Sequence, residues 1–212
     1  MSIKKYSLLT LLIYALAYFI PGVIPSASGQ ILMTTITYVL GAIFLILLYL
    51  KQTESLSFES KETAWWVWVL IGIFGIFAAI LLQNFVMNIE QLFGQEVASE
   101  NTANALAIVM QRPLFAIAIM VGAPIMEELV FRRAIIGLLE TKMNTWIAMC
   151  ISSLLFALVH LDGHLLLYFS LGFFFSCLYR LTGRIWTSML THAGMNSLVV
   201  IVNLLVVPLI NP

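Results

Sequence analysis

The chain has 212 residues, of which 62% are hydrophobic and only 9% charged. Soluble domains carry about 25% charged residues, so a soluble domain with a single anchor is excluded. Ten basic residues balance ten acidic ones, and no basic patch points to nucleic acid. The apolar runs come in chain order as residues 6–24, 31–50, 64–86, 114–139, 146–161, 165–181 and 185–209. A helix crossing the hydrocarbon layer needs about 20 apolar residues. The expected fold class is therefore all-α: a polytopic membrane helical bundle of about seven transmembrane helices forming one transmembrane domain.

The basic start followed by the first run resembles a signal peptide, and Ser26-Ala27-Ser28 resembles a cleavage site. The run exceeds a normal signal core and more spans follow, so an uncleaved first span is expected. Asn88 to Arg112 is the longest polar stretch, and Glu90, Glu96 and Glu100 read as a solvated connection there. Residues 103–111 suit a short interfacial helix before Arg112-Pro113. Asp162 and His164 read as loop residues. The aromatic set Tyr168, Phe169, Phe173, Phe174, Phe175 and Tyr179 reads as lipid-facing and core packing. Cys150 and Cys177 fall in apolar runs and read as small buried hydrophobes. No internal repeat supports an inverted-repeat transporter.

Charge sets the expected topology. With the N-terminus inside, the inner ends hold Lys4, Lys5, Lys51, Lys61, Arg132, Arg133, Lys142, Arg180 and Arg184, and the outer ends hold only Arg112. Trp65, Trp66, Trp68, Trp146 and Trp186 fall at the same inner ends, as an interfacial belt does. The expected location is the cell membrane, multi-pass, with a cytoplasmic N-terminus.

Two carboxylates, Glu127 and Glu128, interrupt the fourth run. A charge at membrane depth costs roughly 2.5–3.5 kcal/mol on insertion scales. His160, His192 and Asn196 lie in later runs. Glu127 is 13 residues before Glu140, and His160 is 15 residues after Thr145. In an antiparallel hairpin both lie roughly 20 Å from the turn. His192 and Asn196 lie roughly 12 and 18 Å deep from Arg184. The groups converge. Glu128 and Arg132, four apart, suit an ion pair. Glu127 is rotated about 100° from Glu128 and lacks that partner; a desolvated, unpaired carboxylate suits general acid or base work. His192 and Asn196, also four apart, can aim donors at one point. Phe156 can wall His160. Pro124 removes a backbone hydrogen bond just before Glu127 and can start a half-helix facing the carboxylates.

Bland readings exist for each group. Glu127 and Glu128 could form a structural cluster with Arg132 and Arg133, and the histidines and Asn196 could hydrogen-bond between helices. Glu127, His160 and His192 could bind zinc, or the buried acids and imidazoles could relay protons in a transporter.

Three motifs carry a resemblance. Glu127-Glu128-Leu-Val-Phe-Arg132 matches EExxxR, Phe156-Ala-Leu-Val-His160 matches FxxxH, and His192-Ala-Gly-Met-Asn196 matches HxxxN. In this order the chain resembles the CPBP family of CAAX prenyl endoproteases and bacteriocin-processing or immunity proteins, also called Abi. The resemblance covers roughly residues 113–200; residues 1–112 carry no motif. It implies an intramembrane glutamic-type endopeptidase with no cofactor, acting on a peptide or membrane-protein substrate within the lipid bilayer. Glu127 would activate a water with His160 assisting, His192 and Asn196 would hold the oxyanion, and Glu128 and Arg132 would order the site. The same resemblance admits a non-catalytic immunity or peptide-binding protein. The depths place the site nearer the outer face, whereas prenyl-protein processing needs cytosolic access; the side of entry stays open.

Overall fold

The computed structural model describes residues 1–59, 63–95 and 99–206. Helix α1 (Ile3–Phe19) runs into a 3₁₀ turn, Ile20–Val23, at Pro21. Helix α2 (Ala27–Leu50) starts at Ser26, whose hydroxyl accepts from Gly29 N at 3.2 Å. The small residues that resemble a cleavage site are here a helix cap. Helix α3 (Trp65–Leu92) extends past the expected end at Val86. Helix α4 (Glu100–Gln111) is the short helix expected before Arg112-Pro113.

Helix α5 (residues 115–140) is continuous, with no half-helix break at Pro124. It alternates between registers: π-helical over Ala118–Gly122 and Glu128–Ile135, α-helical over Phe115–Ile117, Ala123–Glu127 and Ile136–Glu140. Helix α6 (Thr145–Leu158) is capped by Asn144. Helix α7 (Leu165–Thr182) ends at Gly183, whose left-handed φ of 66° turns the chain sharply into α8 (Ile185–Ile201). A π turn, Val202–Val206, closes α8. The expected last run reaches residue 209, and its final residues lie outside those described.

Among the described residues, five helices are long and apolar enough to span a membrane by themselves: α1 with its 3₁₀ turn, α2, α3, α7, and α8 with its π turn. Helix α6, with 14 residues, is about 21 Å long and falls short of the hydrocarbon thickness. Helix α5 is long enough but carries five charged residues, Glu127, Glu128, Arg132, Arg133 and Glu140. Large apolar side chains on α2 and α3, including Leu47, Phe74, Leu81 and Phe85, face outward. So much exposed apolar surface is stable against acyl chains, not water. The protein is a multi-pass helical membrane protein. Trp65, Trp66 and Trp146 are exposed as a belt requires. Trp186 departs from it: its ring packs edge-on to Tyr49 at 6.0 Å.

The centre of α5 lies in the core. Met126, Leu129, Val130, Phe131, Met149, Phe156 and Tyr179 pack there, walled by α1, α2, α6 and α7. Register shifts leave carbonyls without helical donors, and lipid cannot supply them. Hydroxyls from neighbouring helices do. Ser152 Oγ donates to Phe131 O at 2.5 Å, and Ser7 Oγ to Ala134 O at 2.9 Å. Thr37 Oγ1 of α2 donates at 2.9 Å to Ala17 O of α1, whose helical donor would be Pro21.

Helix α8 is set against α3 by close approach. A Cβ on Gly194 would sit 2.3 Å from Ile76 Cδ1, and one on Gly75 would sit 2.5 Å from Thr191 Oγ1. Thr191 Oγ1 donates across the seam to Gly72 O at 3.0 Å. This fixes the helix that bears His192 and Asn196.

Arg133 is fully buried rather than a surface cation at an inner end. Its Nε lies 3.2 Å from Glu59, and Nη2 donates to Gln52 Oε1 at 2.8 Å and Glu54 O at 2.6 Å. The Tyr179 hydroxyl donates to the same Glu59 carboxylate, and the Tyr6 ring lies 5.3 Å from the guanidinium. The loop after α2 is thereby drawn into the bundle. Removing one partner of a buried pair costs about 3–5 kcal/mol. Arg133→Ala is therefore expected to unfold at markedly lower denaturant in mixed micelles, with Arg133→Lys intermediate, as read by SDS-titration unfolding.

Candidate active site

The fourth run, the α6 end and α8 do bring their polar groups to one place. Glu128 and Arg132 are both fully buried and paired, Arg132 Nε to Glu128 Oε2 at 3.4 Å. Arg133 points away to Glu59, so Glu127, Glu128, Arg132 and Arg133 do not form a single cluster. The Arg132 guanidinium lies 4.3 Å from the Phe156 ring centroid and 5.5 Å from that of Phe175. Among the described residues its terminal nitrogens have no hydrogen-bond acceptor. Ring faces take that place, as cation–π contacts.

His192 sits between the two glutamates. Its Nδ1 is 3.0 Å from Glu128 Oε1, and its Nε2 is 3.7 Å from Glu127 Oε2. A carboxylate accepts, so Nδ1 carries a proton. Donation from Nε2 to anything else requires a second proton on the ring. The Phe175 ring stacks on the imidazole at 4.6 Å and 20°. Glu127 is the less buried carboxylate and makes no hydrogen bond among the described residues; its nearest charged partner is His192.

His160 lies in the turn that ends α6. Its Nδ1 is 2.7 Å from Phe156 O. A carbonyl accepts only, so Nδ1 carries the proton and Nε2 is left with a lone pair. Phe156 sets its ring edge-on to His160 at 4.6 Å and to His192 at 6.0 Å. One ring therefore contacts both imidazoles and the Arg132 cation.

Asn196 has a backbone task as well as a place in the site. Ala123 N–H bonds Ala118 O, in the π register. In that register Ile119 O would be served by Pro124, which has no N–H. Asn196 Nδ2 donates to Ile119 O at 3.2 Å instead. One amide hydrogen is used there, and the other remains.

Glu127, Phe156, His160, His192 and Asn196 line one cavity of about 670 Å³. Glu128 and Arg132 stand behind its wall. Among the described residues, no three His, Cys, Asp or Glu side chains are grouped as a metal site, and Glu127, His160 and His192 do not make one.

Two readings from the sequence need correction. Glu90 is not in a solvated connection: it lies in α3, buried, with Oε2 2.7 Å from His164 Nδ1 and Oε1 accepting from Leu167 N at 3.1 Å. It caps the start of α7 from another helix. Asp162 and His164 do lie in a loop, as read from the sequence, and are tied down there. Asp162 accepts from Ser99 Oγ at 2.7 Å, from Tyr168 OH at 2.9 Å and from His164 N at 3.3 Å. The aromatic run is not only packing: Tyr168 stacks on His160 at 3.8 Å and 23°, and Phe175 on His192. Tyr168, Leu171 and Phe175 share one α7 face at i, i+3 and i+7, the signal that could have marked them. Glu96 lies outside the described residues.

In this membrane bundle one glutamate, Glu127, and two imidazoles, His160 and His192, line a single cavity, with Glu128 behind its wall. The family description that matches, over residues 108–198, is Rce1-like, the type II CAAX prenyl endopeptidases. The membrane-embedded CAAX protease MroQ of Staphylococcus aureus is 33% identical over 224 residues, covering 94% of this chain and 89% of MroQ. YdiL of Bacillus subtilis, named provisionally as a membrane peptidase, is 42% identical over 138 residues. That match covers 64% of this chain and only 57% of YdiL. The UPF0177 protein YxdF of Lactococcus lactis is 30% identical over 168 residues, 76% of this chain and 89% of YxdF. No solved structure matches the chain. The chain belongs to the CPBP family of CAAX-type membrane proteases.

Asp162 supplies a pH test of the loop beside His160. Burial raises its carboxyl pKa, but hydrogen bonds from Ser99, Tyr168 and the His164 backbone outweigh this and hold it below the usual range. A lowered folded pKa means stability present above the unfolded value, about 3.9, and lost as pH falls through the folded one. Amide exchange at Ser99 and Thr102 is expected to stay slow through neutral and mildly acidic pH and to quicken only below about pH 4. Asp162→Asn is expected to quicken it at neutral pH.

Proposed function

We propose that the protein is an intramembrane endopeptidase in which Glu127 activates a water for attack on a peptide carbonyl. The observation that carries this reading is the shared cavity of Glu127 and His160, with each presenting an acceptor. Glu127 is without a hydrogen-bond donor of its own, and His160 has only Nε2 left. A water donating one hydrogen to each has its lone pair free for the carbonyl carbon.

As the C–O bond forms, Glu127 takes the water proton and the carbonyl oxygen becomes an oxyanion. The second amide hydrogen of Asn196 and a proton on His192 Nε2 are the donors for it. Collapse of the intermediate breaks the C–N bond, and Glu127 passes its proton to the leaving amine. Water and peptide are consumed; an acid and an amine are formed. Glu128 and Arg132 act behind the wall: Glu128 orients His192, and Arg132 neutralises Glu128. Phe156 keeps both imidazoles in register. No metal takes part in this scheme, so turnover is expected to survive 1,10-phenanthroline.

The substrate is a peptide or membrane-protein segment reached within the bilayer, and the N-terminus is assigned to the cytoplasmic side. Purified protein in liposomes is expected to cleave apolar peptides, with Glu127→Gln at background. Asn196→Ala is expected to lose about 10²–10³-fold in kcat, the effect of one oxyanion donor. An Asn196→Ala enzyme at full speed removes that residue from the chemistry. A non-catalytic immunity role would instead leave the cellular phenotype intact in Glu127→Gln.

A further inference from the structure

We propose that the cavity binds an internal, extended and uncharged peptide segment, and that neither end of the substrate chain is recognised; this rests on the peptidase reading. Beyond Glu127 the cavity runs between α3, α4 and α8. Its polar lining there includes four neutral carboxamides, Gln83 and Asn84 on α3, Asn101 on α4 and Asn203 in the π turn that closes α8, beside the hydroxyls of Ser99 and Thr102. Three of them are steadied by a backbone carbonyl. Asn84 donates to Ile80 O at 3.0 Å, Asn101 to His160 O at 2.6 Å and Asn203 to Val199 O at 2.8 Å. Asn84 and Asn203 each keep an oxygen acceptor and a second amide hydrogen, and Asn101, whose side chain also bonds Tyr168, keeps its oxygen. Gln83 is uncommitted among the described residues.

An extended segment at membrane depth needs partners for every exposed N–H and C=O. Carboxamides offer both a donor and an acceptor without charge. They suit a strand of backbone taken out of its helix, the form in which a carbonyl is open to attack.

Chain ends have no such match. Among the described residues, no Lys or Arg lines the cavity. Arg132 is committed to Glu128 behind the wall, and Arg112 follows α4, beyond the part of that helix facing the cavity. A free carboxylate would stand against Glu127, and a single proton on His192 Nε2 cannot offset both charges. An ammonium would pair with Glu127 and occupy the base. Both desolvated arrangements are unfavourable.

The test uses a randomised library of apolar peptides of about 14 residues, each made as C-terminal acid and amide, presented to the full chain in liposomes. Cleavage sites are read by mass spectrometry. The expected result is cleavage away from both ends, with equal yield from acid and amide. Gln83→Leu is expected to raise KM about fivefold, the worth of one hydrogen bond, with kcat nearly unchanged. Gln83→Arg is expected to create a preference for the acid form. Cleavage confined to the last residues of the acid form, or KM indifferent to Gln83→Leu, overturns the proposal. Should wild type cleave nothing, the peptidase reading fails. The segment proposal is then decided by retention of the same library on immobilised Glu127→Gln. Equal retention of acid and amide, reduced by adding Gln83→Leu, supports it; preference for the acid, or no retention, overturns it.

Discussion

One cation in hydrocarbon organises this site. The Arg132 guanidinium has no access to water, so the fold must answer its charge and its planar surface. Glu128 answers the charge. Phe156 and Phe175 answer the surface, and the same two rings contact His160 and His192. The residues that satisfy Arg132 are thus those that position both imidazoles. A lysine would present a compact, strongly hydrated ammonium there, with neither the planar stack nor the forked donors. Glu127, one residue from Glu128, is left facing the cavity because Glu128 has been claimed.

The backbone obeys a second constraint from the same solvent. Helix α5 is π-helical over much of its length, and each change of register strands a carbonyl. Ser7, Ser152 and Asn196 reach across from three other helices to meet them. The donors are short polar side chains that would otherwise be liabilities in a bilayer. Asn196 joins the two constraints: the hydrogen bond that makes up for Pro124 also fixes the amide at the cavity wall. The π geometry widens the turn carrying Glu128 and Arg132, and such segments recur at functional sites.

The sequence reading succeeded where membrane physics leaves little freedom. Depth is conserved across an antiparallel hairpin, so counting back from the Glu140–Thr145 turn put Glu127 and His160 at the same level. The pairing of Glu128 with Arg132 followed from spacing four. Other features had no local signal. The π register has no periodic signature of its own. Glu90 and His164, Glu59 and Arg133, and Ser99 and Asp162 are partners across many residues, visible only after packing. Tyr168 and Phe175 looked like lipid-facing aromatics because the same residue types serve both uses; only their shared face with Leu171 hinted otherwise. The bland reading of Arg133 was half right: it is structural, but it belongs to the loop after α2.

That loop has a consequence for biogenesis. The stretch matched by the family description begins at residue 108, yet its Arg133 depends on Gln52, Glu54 and Glu59. Excised alone, that stretch would enter the membrane with a cation and no counter-ion. Synthesis proceeds from the N-terminus, so those partners leave the ribosome before Arg133 does. The motif-free first half thus works as a built-in assembly template: the receptor for the arginine is laid down before the helix that carries it is inserted.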